Sequence, residues 1–111
     1  MKYIGYCGFD ASGHQYYFYD VTKETEKRLE FNTYEDYKEG VFTWKHYVNK
    51  SKLDKVELYY EGSTAYGRIF TIADTAKEAV EKAHEIYKEY LQHQIVEADA
   101  VLKRFFRNSI L

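Results

Sequence analysis

The sequence predicts an α+β fold, on three observations. Short segments alternate apolar with polar residues and are separated by turn residues, as strands of antiparallel hairpins do. Two longer stretches repeat apolar residues every three or four positions behind capping residues, as amphipathic helices do. The second of these runs for over thirty residues without Gly or Pro. The expected architecture is a mostly antiparallel sheet of four to five strands with two helices on one face, in the order βββαββα. It occupies residues 1–111 as a single domain.

Lys2 to Phe9 reads as the first strand, with Tyr, Ile and Phe alternating with small residues. Asp10-Ala11-Ser12-Gly13-His14 is a turn, and Gln15 to Thr22 is the returning strand, aromatic on both faces. Lys23-Glu24-Thr25-Glu26 is a polar break. Lys27 to Phe31 is expected as a short third strand.

Asn32-Thr33-Tyr34-Glu35-Asp36 has the chemistry of a helix start. Behind it Tyr34, Tyr37, Val41, Trp44 and Val48 step by +3 and +4, which predicts an amphipathic helix ending near Asn49 to Ser51. Gly40 would lie inside that helix at a cost of about 1 kcal/mol relative to Ala.

Lys55 to Glu61 alternates Val56, Leu58 and Tyr60 with polar residues and Tyr59. Gly62-Ser63 is a tight turn, and Ala65 to Ala73 returns with Phe70 and Ile72 as core candidates. If Phe18, Leu58, Tyr60, Phe70 and Ile72 face the helices, then Tyr17, Tyr19 and Tyr59 line the opposite sheet face.

Asp74-Thr75-Ala76-Lys77-Glu78 opens the last helix, with Thr75 as cap and Glu78 three residues on. Val80, Ala83, Tyr87, Tyr90, Gln94, Ala98, Val101 and Phe105 form its seam. A helix from Asp74 to Phe106 would be roughly 48 Å long, against a radius of gyration of roughly 13 Å for a compact chain of this size. It must therefore break near Gln92-His93-Gln94, or its end must project. The apolar end needs cover from the chain's own sheet or from a second copy, and the second is expected, as self-association through Ala98, Val101, Leu102, Phe105 and Phe106.

Composition narrows the function classes. Hydrophobic content of 45% with 31% charged residues indicates a globular chain. A net charge of −2 disfavours a generic nucleic-acid binder, which needs a basic surface. No apolar run is long enough to cross a bilayer, and the N-terminus lacks the pattern of a secretory leader. With one cysteine, Cys7, the compartment is expected to be cytoplasmic.

Aromatic residues reach 19%, with thirteen Tyr. Tyrosine has an apolar body and a polar tip, so it suits both a core rim and a binding surface. Tyr17, Tyr19 and Tyr59 are therefore the candidate binding residues. Glu57 and Glu61 beside them repel phosphate, which sets nucleic acid behind a protein partner.

No strong catalytic motif is present. Gly5-Tyr6-Cys7-Gly8 lacks the spacing of a phosphate loop. Cys7 and His14 are a thiol and an imidazole near in sequence, but a strand cysteine is more often a small buried hydrophobe. His84 and His93 point about 180° apart on one helix, and His93 with Glu97 supplies two ligands where a metal needs more. No metal or cofactor is expected. The expected function is a non-catalytic binding protein of inhibitor or adaptor type, acting through protein–protein contact and self-associating. The alternatives are a single-stranded nucleic-acid binder using the tyrosine face, or a small-ligand-binding protein.

Overall fold

A computed structural model describes the backbone of residues 1–37 and 40–110 and, within those, the side chains of 1–34, 41 and 43–104. The chain is α+β, with strands β1 (Tyr3–Asp10), β2 (Gly13–Glu24), β3 (Arg28–Tyr37), β4 (Gly40–Asn49), β5 (Val56–Glu61) and β6 (Thr64–Ala73), then helix α1 (Ala76–Ile110). The strands form one six-stranded sheet in the order β4-β3-β2-β1-β6-β5, with every neighbouring pair antiparallel.

Among the described residues the expected first helix is absent. Residues 28–37 and 40–49 pair instead as the long antiparallel strands β3 and β4, from Arg28↔Asn49 to Tyr37↔Gly40. The +3/+4 spacing of Tyr34, Tyr37, Val41, Trp44 and Val48 imitates a helical stripe. However, these residues and their neighbours Thr33, Thr43 and Tyr47 are aromatic or β-branched, which suits a pleated strand better than a helix. Thr33, expected in a cap, instead sits mid-strand, with its hydroxyl 2.8 Å from His46 Nε2. Among the described residues the sheet thus has six strands rather than four or five, and one α-helix packs on it rather than two.

A link of seven residue steps, from Asn49 to Val56, joins the two edge strands. A flat six-stranded sheet would measure about 24 Å between its edges. Seven fully extended steps reach about 25 Å at most, and this link spends part of its length on a 3-10 turn at Lys50–Lys52. The sheet therefore curls. The register shift between Val21 and Lys23 in β2 supplies a bend, and Leu53 bridges to Phe70 on the way across.

The sheet carries a core on each face. Under α1, Cys7, Ile69, Ala83 and Tyr87 are buried, with Phe9, Tyr16, Val56, Ile86 and Tyr90 packed around them. On the concave face, Ile4, Leu29, Phe31 and Val48 are buried among Tyr19, Val21, Leu53, Phe70 and Ile72. Phe70 and Ile72 were expected to face the helix and do not. Ile69 pairs with both Cys7 and Val56, so Ile69, Thr71 and Ala73 take the helix side and the alternate residues take the other. Phe18, Leu58 and Tyr60 do share the helix side by alternation, and all three remain exposed.

Gly5 is where the helix meets the sheet most closely. A methyl group there would overlap the Ala79 carbonyl, to which the buried Thr71 hydroxyl donates a hydrogen bond. The N-cap is as expected, with the Glu78 amide donating to Thr75 Oγ1 at 3.1 Å. At the β5–β6 turn, Gly62 has φ 63°, a conformation that glycine adopts without strain.

Helix α1 is continuous through Gln92-His93-Gln94, so the excess length is resolved by projection. Its first four turns dock on the sheet, whereas every residue from Leu91 to Arg104 is exposed. The radius of gyration is 18.1 Å and the principal extents are 65 × 32 × 23 Å. Among the described residues, no helix is long and apolar enough to cross a membrane.

Candidate interaction surfaces

The concave face carries the aromatic surface. Alternation places Tyr17, Tyr19 and Tyr59 there together, as the sequence indicates, and adds Tyr6, Tyr66 and Arg68. Tyr6 packs on Tyr17 with ring centroids 6.1 Å apart and on Phe70 at 5.1 Å. Tyr59 stacks on Tyr66 at 5.4 Å, and the Arg68 guanidinium lies 5.3 Å from the Tyr59 ring centre. Sequence reasoning missed Tyr66, although the two-residue Gly62-Ser63 turn fixes the register that sets it opposite Tyr59.

These rings differ in availability. Tyr17 is 47% exposed and Tyr59 38%, whereas Tyr19 lies partly under Phe31 with centroids 4.9 Å apart. Burial raises the Tyr6 and Tyr19 hydroxyls above the ordinary phenol range. Tyr17 donates a hydrogen bond to Gln15 Oε1 at 2.9 Å. Tyr6, Tyr17, Tyr59 and Tyr66 line a groove of about 410 Å³ that runs over Gly8 to the β1–β2 turn. At that turn Asp10 accepts hydrogen bonds from the Ser12 amide and hydroxyl, which hold its carboxyl below the usual range. Arg68 is engaged by Glu57 at 3.1 Å, an interaction that lowers the Glu57 pKa and offsets the one guanidinium at the stacked pair.

A second surface lies on the β3–β4 hairpin. β2 pairs with β3 up to Phe31, while β3 and β4 continue together to Tyr37 and Gly40. Tyr34, Val41, Trp44 and Tyr47 are exposed on this ribbon. A two-stranded ribbon is marginal in water on its own, and these side chains add apolar area that a partner can cover.

The third surface is the distal half of α1. Leu91, Ile95, Val96, Val101 and Leu102 are exposed, Ile95 by 68%. Of the residues expected to drive self-association, Ala98, Val101 and Leu102 are exposed on this segment. The side chains of Phe105 and Phe106 lie outside the described residues, although the helix backbone includes them.

Cys7 is fully buried beneath Tyr16 and Tyr87, and burial pushes its thiol up to about 11. His14 packs on Tyr16 and Tyr87 at 5.2 and 5.1 Å rather than against the thiol. His84 Nδ1 is 2.7 Å from the Tyr16 hydroxyl. Among the described residues, no group of three or more His, Cys, Asp or Glu is placed to hold a metal ion.

Compared with protein-family models, curated proteins and solved structures, the chain matches none.

Proposed function

We propose that this chain is a non-catalytic binding protein, of inhibitor or adaptor type, that acts through protein–protein contact and self-associates. One observation carries the reading. The fold leaves large apolar side chains uncovered on two extended elements, the β3–β4 ribbon with Tyr34, Val41 and Trp44, and the distal α1 segment with Leu91, Ile95 and Leu102. Both elements extend past the strands or helix turns they pack on, a geometry suited to contact with a macromolecule. Aromatic residues such as Tyr and Trp are also the usual energetic centres of protein interfaces.

The test is sedimentation of the full chain beside the double variant Ile95→Glu/Leu102→Glu. The expected result is a self-associated wild type and a folded monomeric variant. A wild type that stays monomeric at every concentration removes self-association. For the partner surface, native-host capture with wild type and with Trp44→Ala is compared. Recovery of the same proteins at the same level by both would count against the ribbon.

A second reading is supported by the groove. Stacked Tyr59 and Tyr66 beside Arg68 form a platform for a planar ring, either a base of single-stranded nucleic acid or a small aromatic ligand. The Glu57 carboxylate at Arg68 weakens its attraction for phosphate. Fluorescence titration with short oligonucleotides at low salt and thermal shifts across a metabolite panel test it; no quenching and a flat panel would retire it.

A further inference from the structure

We infer that the partner of the distal α1 segment is the same segment of a second copy, running antiparallel to it. This rests on the self-association proposed above and adds its geometry. Leu91, Ile95, Ala98 and Leu102 step by +4, +3 and +4, the repeat of a two-helix seam, and in the sequence Phe105 continues it. This seam is distinct from the face that docks on the sheet. At about 100° per residue, it is rotated by roughly 90° from the line through Ala79, Ala83, Tyr87 and Tyr90. A helix laid along it therefore does not compete with the chain's own sheet.

The helix from Leu91 to Ile110 is roughly 30 Å long, enough for nearly three heptads. A helical arm of this length without tertiary packing is marginal in water, so a paired state supplies what the sheet does not.

Charge sets the direction. From Glu89 to Asp99 the segment carries Glu89, Glu97 and Asp99 and no Lys or Arg; from Lys103 to Arg107 it carries Lys103, Arg104 and Arg107 and no acid. A parallel pair sets acid beside acid and base beside base. An antiparallel pair centred near Ala100 sets Glu97 and Asp99 beside the partner copy's basic block from position 103 onward. It also opposes the two helix dipoles. Within one helix, Lys103 meets Asp99 at 3.0 Å and His93 meets Glu97 at 3.3 Å. Such exposed pairs are weak, and the block arrangement acts on orientation more than on affinity. Ala98, a small residue near the middle of the seam, allows close approach of the two backbones.

The test is a spin-label distance measurement on full-length Lys88→Cys, with sedimentation of the same sample. Lys88 is exposed beside the start of the seam, and the buried Cys7 thiol stays unlabelled. The antiparallel pair predicts a dimer with labels about 30–40 Å apart along the axis. A dimer with labels near the interhelical spacing of about 10 Å, plus the label arms, overturns the orientation and leaves self-association standing. A monomer at all concentrations overturns both. In labelled Lys88→Cys carrying Ile95→Glu, the long distance is expected to disappear; its persistence would place the contact elsewhere and overturn the proposal.

Discussion

The Phe31 and Phe70 rings lie 6.2 Å apart although β2 and β1 separate their strands in the sheet order. That contact records the curl, since strands three places apart in a flat sheet stand roughly 14 Å from each other. It also makes Phe31 the cover of the concave core, where it stacks on Tyr19 and His46. Phe31→Ala is expected to lower stability by about 3–5 kcal/mol in urea unfolding. Hydrogen exchange should rise first in β4, which pairs with the rest of the sheet through β3. A loss under 1 kcal/mol would mean that the hairpin does not close over the sheet.

Gly5→Ala tests the opposite face. The added methyl meets the Ala79 carbonyl, a backbone group that cannot swing aside, so the helix must shift outward. A loss of about 1–3 kcal/mol is expected, read from the urea midpoint. An unchanged midpoint would contradict the close approach of α1 to β1.

Glu24 ties the N-terminal strand to the β4–β5 link. Lys2 and Lys50 donate to its two carboxylate oxygens at 2.8 and 2.7 Å. The Lys2 hydrogen bond, then the Lys50 one, lowers its pKa from the ordinary 4.5 to about 2. A depressed carboxylate contributes stability above its unfolded pKa and loses it as pH falls through the folded value. Glu24→Gln should therefore melt at a lower temperature than wild type at pH 7, and the gap should close between pH 4.5 and about 2. The cluster is partly exposed, so the gap should be small and should shrink with added salt. A gap that is constant with pH would refute this.

Cys7 offers a chemical probe of the helix-side core. With its thiol pushed up to about 11 and its side chain fully buried, native protein at pH 7.5 should react with a thiol reagent far more slowly than unfolded protein. Equal rates in buffer and in denaturant would contradict the packing of α1 over β1.

Much of this was legible in the chain. The last helix announces itself through Thr75, Glu78 and a long run without Gly or Pro, and both outer hairpins through their turn residues. Residues 32–49 misled because Asn32 and Thr33 resemble caps and the aromatic spacing imitates a helical stripe. The counter-signal was composition: Phe42, Thr43, Trp44, Tyr47 and Val48 are strand formers. The curl was not legible, because it follows from the reach of the 50–55 link once the strand order is known. For the candidate surface, alternation was enough to group Tyr17, Tyr19 and Tyr59. Partial cover of Tyr19 by Phe31 depends on the curl and has no local signal.

The most direct measurement is amide hydrogen exchange along residues 91–104 at high and low protein concentration. If this segment is an interface between two copies, its amides are protected when concentrated and lose protection on dilution, while residues 76–90 stay protected throughout. Fast exchange along 91–104 at every concentration, with 76–90 still slow, would contradict the interface.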